Sequence, residues 1–413
     1  MTKLLKLVDA PTLPYDVLRL VFEEATRSDR RKATKYTLVS KLIRHWVENY
    51  LYSDVQLYSE KSVRKFLRTL ESSTKSKFFF STHIKSLTIA YDVRDFEWTA
   101  RILSFCSGVD TLTVWAIPSH RIQDRHPIPV ISNPPYPTRH PYDLPQFILP
   151  RHHLYDHYNS LYDAFANYLR PKHLAVLIDK PLYIQRMPFP AHPGLAPVMS
   201  PDFSLGLFSN LTHLSIVNRW TEWSAWSWSW SAASPDAATG APSALNFLPK
   251  LTHLSLEIQV GKRLPVSKVL SPSLTSASPP SRRNQKLAEH VGLSLSTILT
   301  SPELIPHLCV LLCVLSFDEE PHCTAQAIRE ETARNLAMVR TEQKLHSFPT
   351  PQFALGFPLN STAGDPRLVF AYDRTPFSER EAGSPKVWDM WRSAEEIMRL
   401  QWRDHGTGAI HGQ

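Results

Sequence analysis

One six-residue phrase, L-x-x-L-x-[ILV], keeps returning along this chain, and it narrows the available folds more than any other feature. It is clearest in Leu211–Thr212–His213–Leu214–Ser215–Ile216 and Leu251–Thr252–His253–Leu254–Ser255–Leu256, two near copies placed 40 residues apart. Looser versions are Ile84–Ile89, Val109–Val114, Leu174–Ile178 and Leu308–Leu315, and Ser53–Tyr58 and Arg367–Tyr372 also read as short strands. In an extended segment the last two apolar positions of the phrase share a face, so each copy predicts a strand with one buried side. Helical patterns at Glu97–Phe105, Leu154–Leu169 and Leu287–Leu299 lie between them. Strands alternating with helices predict an α/β fold with parallel strands.

A single strand–helix unit leaves an apolar edge bare, so such units stabilise one another by stacking. The spacing of the apolar residues matches the strand segment of a leucine-rich repeat, which predicts an irregular leucine-rich-repeat-like body with its strands in one curved sheet. A 40-residue interval exceeds the usual repeat of about 20–29 residues. Long loop insertions account for the excess. They are expected at 118–150, rich in Pro and His, at 231–243, rich in Ala, Ser and Pro, and at 264–284. The last has too few large apolar residues to offset its ordering entropy and is expected to be disordered. With 34 Pro against only 12 Gly, the connections should be stiff rather than loose.

The ends read differently. Residues 1–58 predict a helical module, with Pro14 in the first turn of a helix, Thr12 as its cap, and Val17, Leu18, Val21, Phe22 and Ala25 at helical spacing. A second helix is expected from Lys32 to Tyr50. The repeat body then spans 59–320. Residues 321–413 predict a helix, a strand and a final helix over Val387–Arg403, whose Trp388, Trp391, Ile397 and Leu400 would bury one face as a terminal cap.

Charge and cysteine usage bound the function. A net charge of +8 permits an acidic or nucleic-acid partner, but the basic residues are dispersed, so a nucleic-acid role is not favoured. Four cysteines in 413 residues are too few for a disulfide framework, which fits a reducing compartment, cytoplasmic or nuclear. The longest apolar run, Leu308–Phe317, is about half a membrane span. No phosphate-cradling or nucleophile-elbow motif occurs, so no enzyme activity and no cofactor are expected. His152, His153 and His157 read as solvated, and Cys309 and Cys313 as small buried residues on one strand face, so no metal site is expected either. Trp220, Trp223, Trp226, Trp228 and Trp230 form the densest aromatic cluster. It reads either as an exposed partner-binding ridge, with Trp223, Trp226, Trp228 and Trp230 as its contacts, or as a lid folded over the sheet.

Leu13–Pro14–Tyr15–Asp16–Val17–Leu18–Arg19–Leu20–Val21–Phe22, then Leu38–Val39–Ser40–Lys41 and Trp46, resembles the F-box motif, and the whole chain is similar to the F-box-like proteins abundant in fungi. Trp46 lies later than that pattern has it, and Ser40 stands where a Cys is common. The resemblance implies a non-catalytic substrate-recognition adaptor of a Skp–cullin–F-box ubiquitin ligase. Leu13, Pro14, Leu18, Val21, Phe22, Val39 and Trp46 would divide between a surface for the Skp-type adaptor and the small core of the module. The repeat body would hold a protein substrate. A leucine-rich-repeat-like scaffold without a ligase role, or a basic nucleic-acid-associated protein, is the alternative reading.

Overall fold

Eight short strands pair side by side in chain order, all parallel, into one sheet. The computed structural model describes residues 13–90, 95–118, 151–179, 203, 205–224, 226, 248–260, 282–301, 304, 306–316, 321–345, 365–373 and 386–407. The strands are β1 (Asp54–Leu57), β2 (Ser86–Ile89), β3 (Thr111–Pro118), β4 (His173–Asp179), β5 (His213–Ile216), β6 (His253–Gln259), β7 (Val310–Ser316) and β8 (Leu368–Asp373). Every strand expected from the repeated phrase is present. The sheet also runs past both expected boundaries, since β1 from the N-terminal module and β8 from the C-terminal part are its two edges.

The register explains why the phrase repeats. Val55, Leu87, Leu112, Leu174, Leu214, Leu254, Leu311 and Leu368 stand opposite one another across all eight strands. A second column follows two residues on: Leu57, Ile89, Val114, Val176, Ile216, Leu256, Cys313 and Phe370. Both columns are buried in one continuous core, and each such side chain contributes about 1.5–3 kcal/mol through burial. A slip of one residue would turn both columns to the wrong face, so the phrase fixes the register as well as the strand.

Parallel neighbours need crossover connections, and right-handed crossovers made in chain order put their helices on the same side of the sheet. Helices α4 (Glu60–Ser72), α5 (Lys77–His83), α6 (Phe96–Phe105), α7 (Arg151–Asn167), α8 (Arg282–Thr300) and α9 (Pro321–Leu345) follow this rule. Val63, Phe80, Ile102, Phe165, Val291 and Ile328 from these six helices share the core with the two strand columns. Ser59 opens α4 with a reciprocal capping box to Ser62. Ahead of β3 the chain must pass close to α5, where a Cβ on Gly108 would lie 1.8 Å from the Ser81 carbonyl oxygen, so only glycine fits.

The N-terminal module differs from expectation in one respect. The second helix is broken into α2 (Arg30–Tyr36) and α3 (Lys41–Ser53), because Asp29 and Ser40 each accept backbone N–H bonds as caps, at Arg31 and Lys32 and at Ile43. The first helix, α1 (Tyr15–Ser28), begins after Pro14 without a side-chain cap bond, and Thr12 lies outside the described residues. Ala33, Ile43 and Val47 form the module's small core, with Phe22, Tyr36, Trp46 and Leu51 against it. Arg30 ties it to the sheet through the Asp54 carboxylate at 3.1 Å and carbonyl at 2.5 Å.

The final helix, α10 (Lys386–Thr407), is the main correction. It does not cap the end of the stack. Trp391 and Ala394, with Met390 and Met398, pack on Val310, Leu312, Val314 and Val369, which point away from the crossover helices. As it follows the last strand, α10 is not a crossover and the handedness rule leaves it free to lie on the second face. Ile397 and Leu400, expected to be buried, are exposed, and the Trp388 side chain lies outside the described residues. The expected insertions at 231–243 and 264–281 lie outside them too, as does 119–150, while 282–284 form the start of α8.

Candidate functional site

Two regions carry side chains that the fold itself does not require. The first is the N-terminal module. Of the 16 large apolar residues exposed in the described structure, eight fall between residues 13 and 42: Leu13, Tyr15, Val17, Leu20, Val21, Leu38, Val39 and Leu42. Leu13, Val17, Leu20 and Val21 recur at the spacing that gathers side chains along one side of a helix. Of the residues implicated by the family resemblance, Leu13, Pro14, Val21 and Val39 are exposed and Leu18 is half-buried. Phe22 and Trp46 turn inward instead, with the Phe22 ring edge-on to Tyr36 at 5.7 Å. Val17, Leu20, Leu38 and Leu42 join the exposed set although the sequence reading had not singled them out as surface.

The second region is the face of the sheet opposite the crossover helices. Its first column reads Asp54, Ser86, Thr111, His173, His213, His253, Val310 from β1 to β7. Strands lie about 4.8 Å apart, so the three histidines must stack. The His173 and His213 rings are 4.7 Å apart at 64°, and those of His213 and His253 are 4.1 Å apart at 7°. Trp391 of α10 meets both His213 and His253 edge-on at 5.5 Å. Glu395, one turn further along α10, brings Oε1 to 3.3 Å from His253 Nε2 and Oε2 to 3.5 Å from Arg399. His253 Nε2 is buried and makes no hydrogen bond among the described residues, since that approach lies within ion-pair distance but outside hydrogen-bond geometry.

Burial dominates the electrostatics here. It pushes His213 down to about 3, helped by the neighbouring His253 and His173. It lowers His253 as well, against the pull of the Glu395 carboxylate, and it lowers His173. All three imidazoles therefore favour the neutral form. One ligand atom from each of His213, His253 and Glu395 lies within 4.8 Å of the others, the single such grouping of three among the described residues. This constellation was not found in the sequence, where the histidines are 40 residues apart and only parallel register joins them. The repeated Thr-His-Leu-Ser was its signal.

The other candidates resolve plainly. Trp223 is fully buried and its indole N–H donates to the Glu257 carbonyl at 2.9 Å. Trp226 is also buried, so these two belong to the core beside β6 and form no exposed ridge. Trp228 and Trp230 lie outside the described residues. Large indoles next to an apolar sheet edge gain more from burial than from display. Cys309 precedes β7 and is exposed, which corrects the expectation that it shares a buried face with Cys313. Cys313 and Cys106 are buried, and burial pushes both thiols up, Cys106 to about 12, so neither is a nucleophile. His152, His153 and His157 sit in the first turns of α7. No helix among the described residues is long and apolar enough to cross a membrane.

Comparison with protein-family models, with curated proteins and with solved structures gives no match for this chain.

Proposed function

We propose that the chain is an F-box-like substrate-recognition adaptor, in which the N-terminal module docks on a Skp-type adaptor of a cullin ubiquitin ligase and the repeat body holds a protein substrate. The observation that carries this reading is the clustering of half of the exposed large apolar side chains into residues 13–42. Monomeric proteins rarely leave such surface bare, and a concentration of it marks a docking site. Val17, Leu20 and Val21 are free for a partner because the module builds its own core from Ala33, Ile43 and Val47. On this reading the chain forms and breaks no bonds, and it acts by holding a substrate near the ligase.

The test uses exposed positions, so that folding is spared. Val21→Glu combined with Val39→Glu should abolish co-purification of the Skp-type adaptor and the cullin while leaving thermal melting unchanged. Co-purification that persists in this double variant rejects the docking assignment. The alternative of a scaffold without a ligase role is then favoured, because its sheet and helices need no N-terminal partner.

A further inference from the structure

The tautomers of His213 and His253 are fixed by the threonines that precede them. Thr252 Oγ1 lies 3.0 Å from the Thr212 carbonyl oxygen, which can only accept, so the single hydroxyl proton is spent there. The same Oγ1 is 2.8 Å from His253 Nδ1, and that bond must therefore be donated by Nδ1–H. The arrangement repeats one strand back, with Thr212 Oγ1 at 3.1 Å from the Lys172 carbonyl and 2.9 Å from His213 Nδ1. In both neutral rings Nε2 is then the lone-pair nitrogen. At His253 this lone pair faces a carboxylate oxygen at 3.3 Å in a buried setting. Two electron-rich atoms held together away from water call for a cation between them. Protonating both rings is no answer, because two imidazolium ions stacked at 4.1 Å would repel.

We propose that His213 Nε2, His253 Nε2 and a Glu395 carboxylate oxygen form a zinc site that fastens α10 to the second face of the sheet. Two imidazole nitrogens and one carboxylate oxygen are a recurrent zinc set, which leaves a fourth position for water or a substrate side chain. The Thr252 and Thr212 hydroxyls hold the distal ring nitrogens, as groups behind metal-bound histidines do. Zinc bonds of about 2.0–2.2 Å require the three ligand atoms to draw closer than 4.8 Å. The ion must also lie near each ring plane, so loading tilts the rings out of their parallel stack, a motion that the soft outer torsion of histidine allows. The ligands come from β5, β6 and α10, and binding therefore couples the ion to the docking of the helix.

The experiment is calorimetric titration of the metal-free full-length chain with Zn2+, paired with visible absorption after loading with Co2+. The expected result is one tight site per chain whose Co2+ bands show tetrahedral coordination. Glu395→Gln and His253→Gln should each weaken binding roughly tenfold or more. The combined Cys309→Ser and Cys323→Ser variant and the His152→Ala, His153→Ala and His157→Ala variant should leave it intact. If His253→Gln fails to fold, Glu395→Gln, at a half-exposed helix position, decides alone. Absence of a tight site in the wild-type chain, or a site that survives Glu395→Gln, overturns the proposal.

Discussion

Strands β2 and β7 belong to one sheet and pair with their neighbours in the same way, yet they live in different surroundings. In β2 burial alternates, with Leu87 and Ile89 in the core and Ser86 and Thr88 half-exposed on the other side. In β7 every residue is buried, because Leu311, Cys313 and Leu315 face the crossover helices while Val310, Leu312 and Val314 face α10. The sequence of each strand follows its coverage. Alternation marks a strand with one side wet, and a continuous apolar run marks one covered on both. The second face thus changes along the stack, from Asp54, Ser86 and Thr111 through the three histidines to Val310. The histidines stand at the border between open and covered sheet.

The largest effect should come from a direct test of this difference. Leu312→Ala is expected to cost about 2–5 kcal/mol, whereas Thr88→Ala, at the equivalent position of the open end, should stay within about 0.5 kcal/mol. Urea unfolding of the two variants measures both, and equal losses would erase the distinction between the two ends.

A smaller effect concerns the border itself. In metal-free protein His213 is held neutral, with a folded value near 3 against about 6.5 unfolded. Below pH 6.5 the unfolded chain takes up the proton and the folded one does not, so this contribution is present above 6.5 and fades as the pH falls toward 3. The groups facing His213 are His173, His253 and Trp391, with Glu395 and Arg399 behind them. The melting temperature should fall between pH 6.5 and pH 4, and His213→Asn should flatten that fall. An unchanged slope in the variant would show that other groups govern it.

The smallest effect separates apolar from ionic fastening of α10. Arg399 pairs with Glu395 at the surface, and such a pair contributes about 0.3–0.5 kcal/mol. Arg399→Ala should therefore barely shift the melt in 0.15 M salt. A loss as large as that of Leu312→Ala would mean that charge, rather than Trp391, holds the helix.

The strands were legible because the phrase carries their period and their register together. Helix α4 was equally readable in Val63, Leu67 and Leu70, yet it went unassigned because attention fell on the phrase. The broken helix at Thr37–Ser40 was hidden by apolar periodicity that continues across two caps. The histidine column could not be placed before the strands were known to pair in register, since its members are neighbours only through the sheet. Nor does an amphipathic helix such as α10 declare which face of a sheet it will cover. Trp391 would look the same at the end of a stack or on its inner side.

The strict agreement between strand order and chain order has a consequence for how the molecule comes into being. Each new strand finds its partner already made, so the stack can grow as the chain is synthesised, one unit at a time. The exception is Val310, Leu312 and Val314, whose cover arrives only with Trp391. At about 5–20 residues per second that interval is on the order of 4–15 seconds. During it the nascent chain is predicted to present a bare apolar strip to chaperones. Ribosome-bound chains stalled after residue 380 should hold a chaperone that chains released at full length do not.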